Sequence, residues 1–362
     1  ATMSTELNST NKLREFVEEL KRLKIEVVRP CINSCFAEFK AEKNKIFYGL
    51  SAIKNVGFEA VSNIIDERKK NGKFKSIHDF IKRVNPKDVN KLQLEGLVKA
   101  GAFDLLEKNR SKLFFSIPKI ILTVKSLYEE KISNQTNLFG EDEDSSNKIL
   151  EFENQTMWTK KEILAEEFSS LGFYISDHPL NEYKDLFSQL KIISYKDFIA
   201  SNEKESLVAG TIMSIQEKKS SKGTAFSIIK FSDNSSEYEI FLFSELLINN
   251  RDRLKESNSF VLTLQKDKFF ENNGTSRINV RKILDLSELV NKSYKKVSIE
   301  LNDNYNLEDL KSVLKEEGET QINILVKDKN KTLAFQLEKT RKFDFNIFND
   351  IKSKQYVKKI HF

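Results

Sequence analysis

The apolar residues of this chain change their spacing at Leu207. Before that point they recur every three or four residues, as in Leu13, Phe16, Val17, Leu20 and Leu23, which gathers them on one face of a helix. After it they alternate. The segments 207–215, 225–231, 238–243, 260–265 and 277–283 read as five strands, with a helix over 245–254 between the third and the fourth, because successive strand side chains point to opposite faces. A third pattern begins near Val290: a strand 297–301, a helix 307–316, strands 321–327 and 332–338, and a helix 346–352. One layer cannot serve both periods. The expected fold is therefore multidomain α+β, with a mostly helical N-terminal half, a five-stranded β-barrel, and a small α/β domain at the C-terminal end.

The 362 residues, 39% of them apolar, suffice for two or three cores. A net charge of +6, mostly lysine spread along the chain, permits nucleic-acid binding without demonstrating it. Cys31 and Cys35 lack a second ligand pair, so they read as structural and fit a reducing compartment rather than a disulfide scaffold. No apolar run reaches membrane-spanning length and no signal peptide opens the chain, so a cytoplasmic protein is expected, with no membrane partner. The sequence shows no metal-ligand cluster and no nucleophile triad. His178, beside Pro179, reads as a structural residue at a helix end.

The helical half carries two candidate hairpins. In the first, an apolar helix ends at Lys54, the turn Asn55-Val56-Gly57 reverses the chain, and a second helix follows. This resembles a helix-hairpin-helix, whose turn aims backbone amides at a helix N-terminus toward DNA phosphates. The usual turn is Gly-apolar-Gly; here Asn55 takes the first position and tolerates positive φ better than most residues. The second candidate is centred on Lys99-Ala100-Gly101. A tandem pair straddles a duplex backbone without reading bases. The bland alternative for each is a plain helical corner.

Five strands with that helix placement suit an OB-fold. Its first hairpin carries Lys218, Lys219 and Lys222, and the segment before the fifth strand carries Lys266, Lys268, Phe269, Phe270 and Arg277. Basic and aromatic residues at such loops suit single-stranded DNA. The alternatives are a solvated lysine hairpin and phenylalanines that close the barrel floor.

Between the helices lies a polar stretch, 133–155, expected to be a mobile loop. It holds Gln135-Thr136-Asn137-Leu138-Phe139, followed by Glu141-Asp142-Glu143-Asp144. A Leu-Phe pair beside a segment too polar to fold calls for a partner that buries it.

Four segments occur in one order: Arg29-Pro30-Cys31-Ile32-Asn33-Ser34, Tyr48 to Gly57, Gln135 to Phe139, and Leu171-Gly172-Phe173-Tyr174-Ile175-Ser176-Asp177-His178-Pro179-Leu180. With the barrel that follows, this order resembles the C-terminal part of the bacterial DNA polymerase III alpha subunit over essentially the whole chain. Thr10 to Leu13 also looks like the family's fingers sequence, so residue 1 is expected to lie inside a longer protein.

The resemblance implies a division of labour. Residues 1–47 would be distal fingers and 48–120 tandem helix-hairpin-helix motifs on double-stranded DNA. Residues 121–200 would be a clamp-binding region in which Gln135, Thr136, Asn137, Leu138 and Phe139 dock on the sliding clamp (the beta subunit). Residues 201–289 would be an OB-fold for single-stranded DNA, and 290–362 the domain held by the tau subunit of the clamp loader. Thr136 and Asn137 stand where the clamp peptide often has Leu and Ser or Asp. The carboxylates that hold two Mg²⁺ for nucleotidyl transfer lie in this family on the palm, N-terminal to this stretch. The residues in hand are therefore expected to bind and tether, with no catalytic residue and no cofactor of their own. The rival readings are a free-standing DNA-binding adaptor and a repair-type paralogue.

Overall fold

The structure, a computed structural model, describes residues 2–5, 9–133, 152, 155–219, 223–267, 277–328 and 331–361. They form two compact units, Ala1–Pro179 and Leu180–Phe362.

The first unit is helical, as expected, with helices over Thr10–Arg22, Phe58–Asn71, Ile77–Arg83, Lys91–Lys99, Arg110–Phe115, Ile117–Ser133 and Lys160–Leu171. The stretch 110–133 forms two helices, Arg110–Phe115 and Ile117–Ser133, because Pro118 cannot donate a backbone hydrogen bond and is tolerated only in a first turn. The helix Lys160–Leu171 ends at Gly172, which has φ +82 and where a Cβ would lie 2.1 Å from Thr10 Cγ2. A small sheet went unseen in the sequence. It comprises β1 (Glu26–Val28), β2 (Lys40–Glu42) and β3 (Lys45–Phe47) in the order β1-β3-β2, and three-residue strands are too short to show a period.

The loop 29–35 is the hub of this unit. Ile32 N–H donates to the Ala102 carbonyl at 2.8 Å. Arg68 donates to the Ile32 carbonyl at 2.6 Å, and Asn33 and Phe74 exchange two hydrogen bonds. Arg29 reaches the Ser176 carbonyl. Cys35 is buried, its thiol donates to the Arg29 carbonyl, and burial pushes its pKa up to about 11. The thiol therefore stays protonated and inert at neutral pH.

The second unit contains two sheets. The five expected strands are present: β4 (Glu205–Lys219), β5 (Ala225–Ser232), β6 (Glu237–Phe243), β7 (Ser259–Asp267) and β8 (Arg277–Asp285). They form one antiparallel sheet in the order β6-β5-β4-β7-β8. The closed barrel is not formed. No ladder joins edge strands β6 and β8 among the described residues, and the helix Ser244–Asn250 packs beside both with Leu247 buried in the sheet's core. Gly210 admits a close neighbour inside the sheet: a Cβ there would lie 2.3 Å from the Tyr238 hydroxyl.

The second sheet adds β9 (Lys296–Leu301), β10 (Glu317–Asp328), β11 (Lys331–Gln336) and β12 (Val357–His361) in the order β11-β10-β9-β12. Strands β9 and β10 are parallel, with the helix Leu307–Val313 between them in the chain. One apolar cluster joins residues on both sides of position 290. It holds Leu180, Leu186, Ala209, Val261, Leu286 and Val290 together with Val297, Ile299 and Phe343.

That shared cluster predicts a cost for cutting the chain at 289. Fully exposing a Val or Leu side chain loses about 1.5–3 kcal/mol, and several would be exposed at once. Residues 180–361 should melt in one cooperative transition, and 201–289 should melt at a clearly lower temperature by circular dichroism. Equal melting temperatures would contradict the shared core.

Candidate nucleic-acid interface

Tyr48, fully buried, is followed by Gly49, where a Cβ would lie 2.8 Å from the Phe39 backbone nitrogen. The leg before the first turn is only the 3₁₀ segment Leu50–Ala52, not the apolar helix expected, because the chain is drawn close to the 38–39 backbone. The turn follows. Asn55 has φ +64, the left-handed conformation that its side chain was expected to tolerate. Gly57 has φ −73 and open space around it. The turn thus strains Asn55 and asks nothing special of Gly57's backbone.

Gly57 is the N-cap of the helix Phe58–Asn71 and gives it no side-chain cap. Lys54, Asn55, Gly57, Phe58 and Glu59 are exposed, whereas Val56 is buried and anchors the turn. Neighbouring helices begin differently. Ser76, Asn90, Asn109 and Thr159 each accept a hydrogen bond from a first-turn amide. The start of 58–71 leaves its first amides to an outside acceptor, where the helix dipole favours an anion. Glu59 is the one acidic residue in that turn.

Two elements hold the turn from behind. Lys54 N–H donates to the Ser170 carbonyl at 2.9 Å. The helix Lys91–Lys99 lies against the turn at Gly96, where a Cβ would be 2.7 Å from the Lys54 carbonyl oxygen. The segments Tyr48 to Gly57 and Leu171 to Pro179 therefore meet in space. Buried Glu167 pins the latter by accepting from the Ile175 and Ser176 amides at 2.8 and 2.9 Å.

The second turn is closed. Ala100, Gly101 and Ala102 amides donate to the Gly96, Val98 and Leu97 carbonyls, a helix-end pattern that uses up the amides. Gly101 has φ +78 and is buried under Arg110, which pairs with Asp104 and donates to the Lys99 carbonyl at 3.0 Å. The Lys99 ammonium pairs with Glu166 at 2.9 Å. Lys99, Ala100 and Gly101 thus form a tied-down corner, and the expectation that this turn presents free amides is corrected: its own carbonyls take them.

In the five-stranded sheet, Lys218 and Lys219 end β4, exposed and without an ion pair among the described residues. Lys266 turns inward, its ammonium meeting the Ile199 and Ser201 carbonyls and the Phe198 ring. Arg277 opens β8. Lys222, Lys268, Phe269 and Phe270 lie outside the described residues, as do Gln135, Thr136, Asn137, Leu138, Phe139 and the acidic run Glu141–Asp144.

Sequence reasoning missed three aromatic residues on this sheet. Phe226, Phe241 and Phe243 stack on its solvent face, with ring centroids 6.5 and 5.9 Å from Phe226. The signal was present: Ile240-Phe241-Leu242-Phe243 is apolar at every position, so an alternating strand must send two of the four to solvent. No helix among the described residues is long and apolar enough to cross a membrane.

Residues 24–113 match the helix-hairpin-helix motif family. Over most of its length the chain is also similar to curated proteins named DNA polymerase III subunit alpha. That of Borreliella burgdorferi is 35% identical over 87% of this chain and 28% of its own length. That of Caulobacter vibrioides is 31% identical over 73% of this chain and 23% of its own. That of Buchnera aphidicola is 29% identical over 98% of this chain and 31% of its own. The chain thus spans between about a quarter and a third of the length of these relatives.

The contrast between the two turns predicts opposite responses to small substitutions. Asn55→Gly relieves a left-handed residue and should stabilise the fold by up to ~1 kcal/mol. Gly101→Ala strains a left-handed position and crowds Arg110, and should destabilise by ~1–3 kcal/mol. Chemical denaturation of the two variants checks the pair; a neutral Gly101→Ala would contradict the geometry.

Proposed function

We propose, from the premise that the chain belongs to the DNA polymerase III alpha family, that these residues grip and tether DNA for processive template-directed synthesis. The observation that carries this is the uncapped, exposed start of the helix Phe58–Asn71 behind the strained Asn55, inside the matched hairpin motif. Phosphate oxygens fit that amide cluster, and backbone amides do not read sequence. The first hairpin is the duplex contact, and the closed second turn is its brace.

The strand order β6-β5-β4-β7-β8, with a helix between the third and fourth strands, supports an OB-type sheet for single-stranded template, since such barrels are commonly only partly closed. Gln135, Leu138 and Phe139 are the anchors of a clamp peptide, and residues 290–362 take the tau subunit of the clamp loader. Among the described residues no group of three or more His, Cys, Asp or Glu side chains is placed to hold a metal ion. Their contribution is effective concentration: several weak contacts on one polymer hold a polymerase near the primer end.

The hairpin is tested by giving the helix the cap it lacks. Gly57→Asp supplies a carboxylate to the first-turn amides in a backbone that accepts any residue, so the helix should gain a few tenths to ~1 kcal/mol. The same carboxylate occupies the amides and repels phosphate, so duplex affinity should fall by about tenfold, equally for unrelated sequences. Unchanged duplex binding by fluorescence anisotropy in a stabilised variant would remove the hairpin from the interface. The clamp peptide is tested separately. Leu138→Ala with Phe139→Ala should lose at least ~2 kcal/mol of clamp affinity in surface plasmon resonance, with no change in melting temperature, and wild-type affinity would contradict it.

A further inference from the structure

We infer that Phe226, Phe241 and Phe243 form the platform on which bases of single-stranded nucleic acid stack. The inference rests on the single-strand reading of this sheet and names the residues that perform it. Lys218, Phe226 and Phe243 are cross-strand partners in one row, and Gln216, Ile228 and Phe241 form the next row on the same face. Phe241 and Phe243 are 45% and 47% exposed, while Tyr238, Ile240 and Leu242 of the same strand are buried in the core. The outward rings therefore contribute nothing to the sheet's own interior.

Charge identifies the occupant. The two rows hold no acidic residue. The row with two phenylalanines ends in the exposed Lys218, and Lys219 follows it. Neither ammonium has an ion pair among the described residues. The next row outward holds Lys230 and Glu239, and Lys230 is held by Glu237 at 2.9 Å. Aromatic faces flanked by free cations match a polyanion that carries planar apolar groups. The Phe241 and Phe243 rings lie 26° and 27° from parallel to that of Phe226, offering neighbouring faces to successive bases. Stacking needs only a π face, so the platform accepts any base.

The test uses the full chain and a fluorescein-labelled oligothymidine, with anisotropy measured across a salt series. Phe241→Ala with Phe243→Ala should weaken binding by at least ~10-fold while leaving the salt slope unchanged, because stacking releases no counterions. Phe241→Leu with Phe243→Leu keeps the apolar area without the π face and should bind as weakly as the alanine pair. Lys218→Ala should reduce the slope of log K against log salt by about 0.7, the value of one phosphate contact. Duplex affinity and melting temperature should stay at wild type in all three. If the leucine pair binds oligothymidine as tightly as wild type, the patch is a general apolar surface suited to a polypeptide, and the inference falls. If wild type binds and the alanine pair is unaffected, the strand lies elsewhere on the sheet and only the platform is wrong. If wild type itself fails to bind oligothymidine, the single-strand reading falls together with the platform.

Discussion

The helical unit depends on one close approach, that of the helix Lys91–Lys99 to the turn 53–56 at Gly96. Any larger residue there would put a Cβ 2.7 Å from the Lys54 carbonyl oxygen and 3.2 Å from a Val56 methyl. On its other side the Lys54 amide is fixed to Ser170. A turn carrying a left-handed asparagine would relax if it were free, since that conformation is unfavourable for a side-chain-bearing residue. Clamped on both sides, it stays where the following helix can face outward. Local strain is thus maintained by packing from elements more than forty and more than a hundred residues away.

That arrangement separates two roles that the sequence made look alike. Both turns carry a residue of positive φ, and both lie at helix ends. In the second, the amides are consumed by carbonyls of the same helix, and Arg110 closes the corner through Asp104 and the Lys99 carbonyl. In the first, a glycine cap leaves the helix start unsatisfied and exposed. Natural helices are usually capped. An uncapped start inside a rigid frame is therefore a place where stability has been left unclaimed and an external anion can supply the missing acceptor.

The legible part of the fold was what periodicity controls. The five strands from Glu205 to Asp285 were visible because each is a run of at least six residues rich in β-branched and aromatic side chains that lacks the helical spacing, whereas the pairing of β4 with β7 is a tertiary matter. The three-residue strands β1 to β3 were not visible, since segments so short carry no period, and β12 was not visible because its apolar residues, Val357 and Ile360, are three apart across a register shift. Closure was misread because it is decided by where Leu247 and its helix pack, which alternation does not encode. The left-handed Asn55 was foreseeable from side-chain chemistry, but the sealed state of Gly101 was not: it depends on Arg110, nine residues on and outside the turn. The inward turn of Lys266 onto the Ile199 and Ser201 carbonyls is similarly a tertiary matter. Phe241 and Phe243 were legible in principle, as two apolar residues too many for a strand with one buried face.

On the proposed function, backbone amides at the start of the helix Phe58–Asn71 bind duplex phosphates. Amide hydrogen exchange on the full chain, with and without a duplex of arbitrary sequence, tests it most directly. New protection is expected at Phe58, Glu59 and Ala60 when duplex is added, and no change at Ala100 and Gly101, whose amides are already bonded. Protection that appears at the second turn, or leaves 58–60 exchanging as fast as in the free protein, would contradict it.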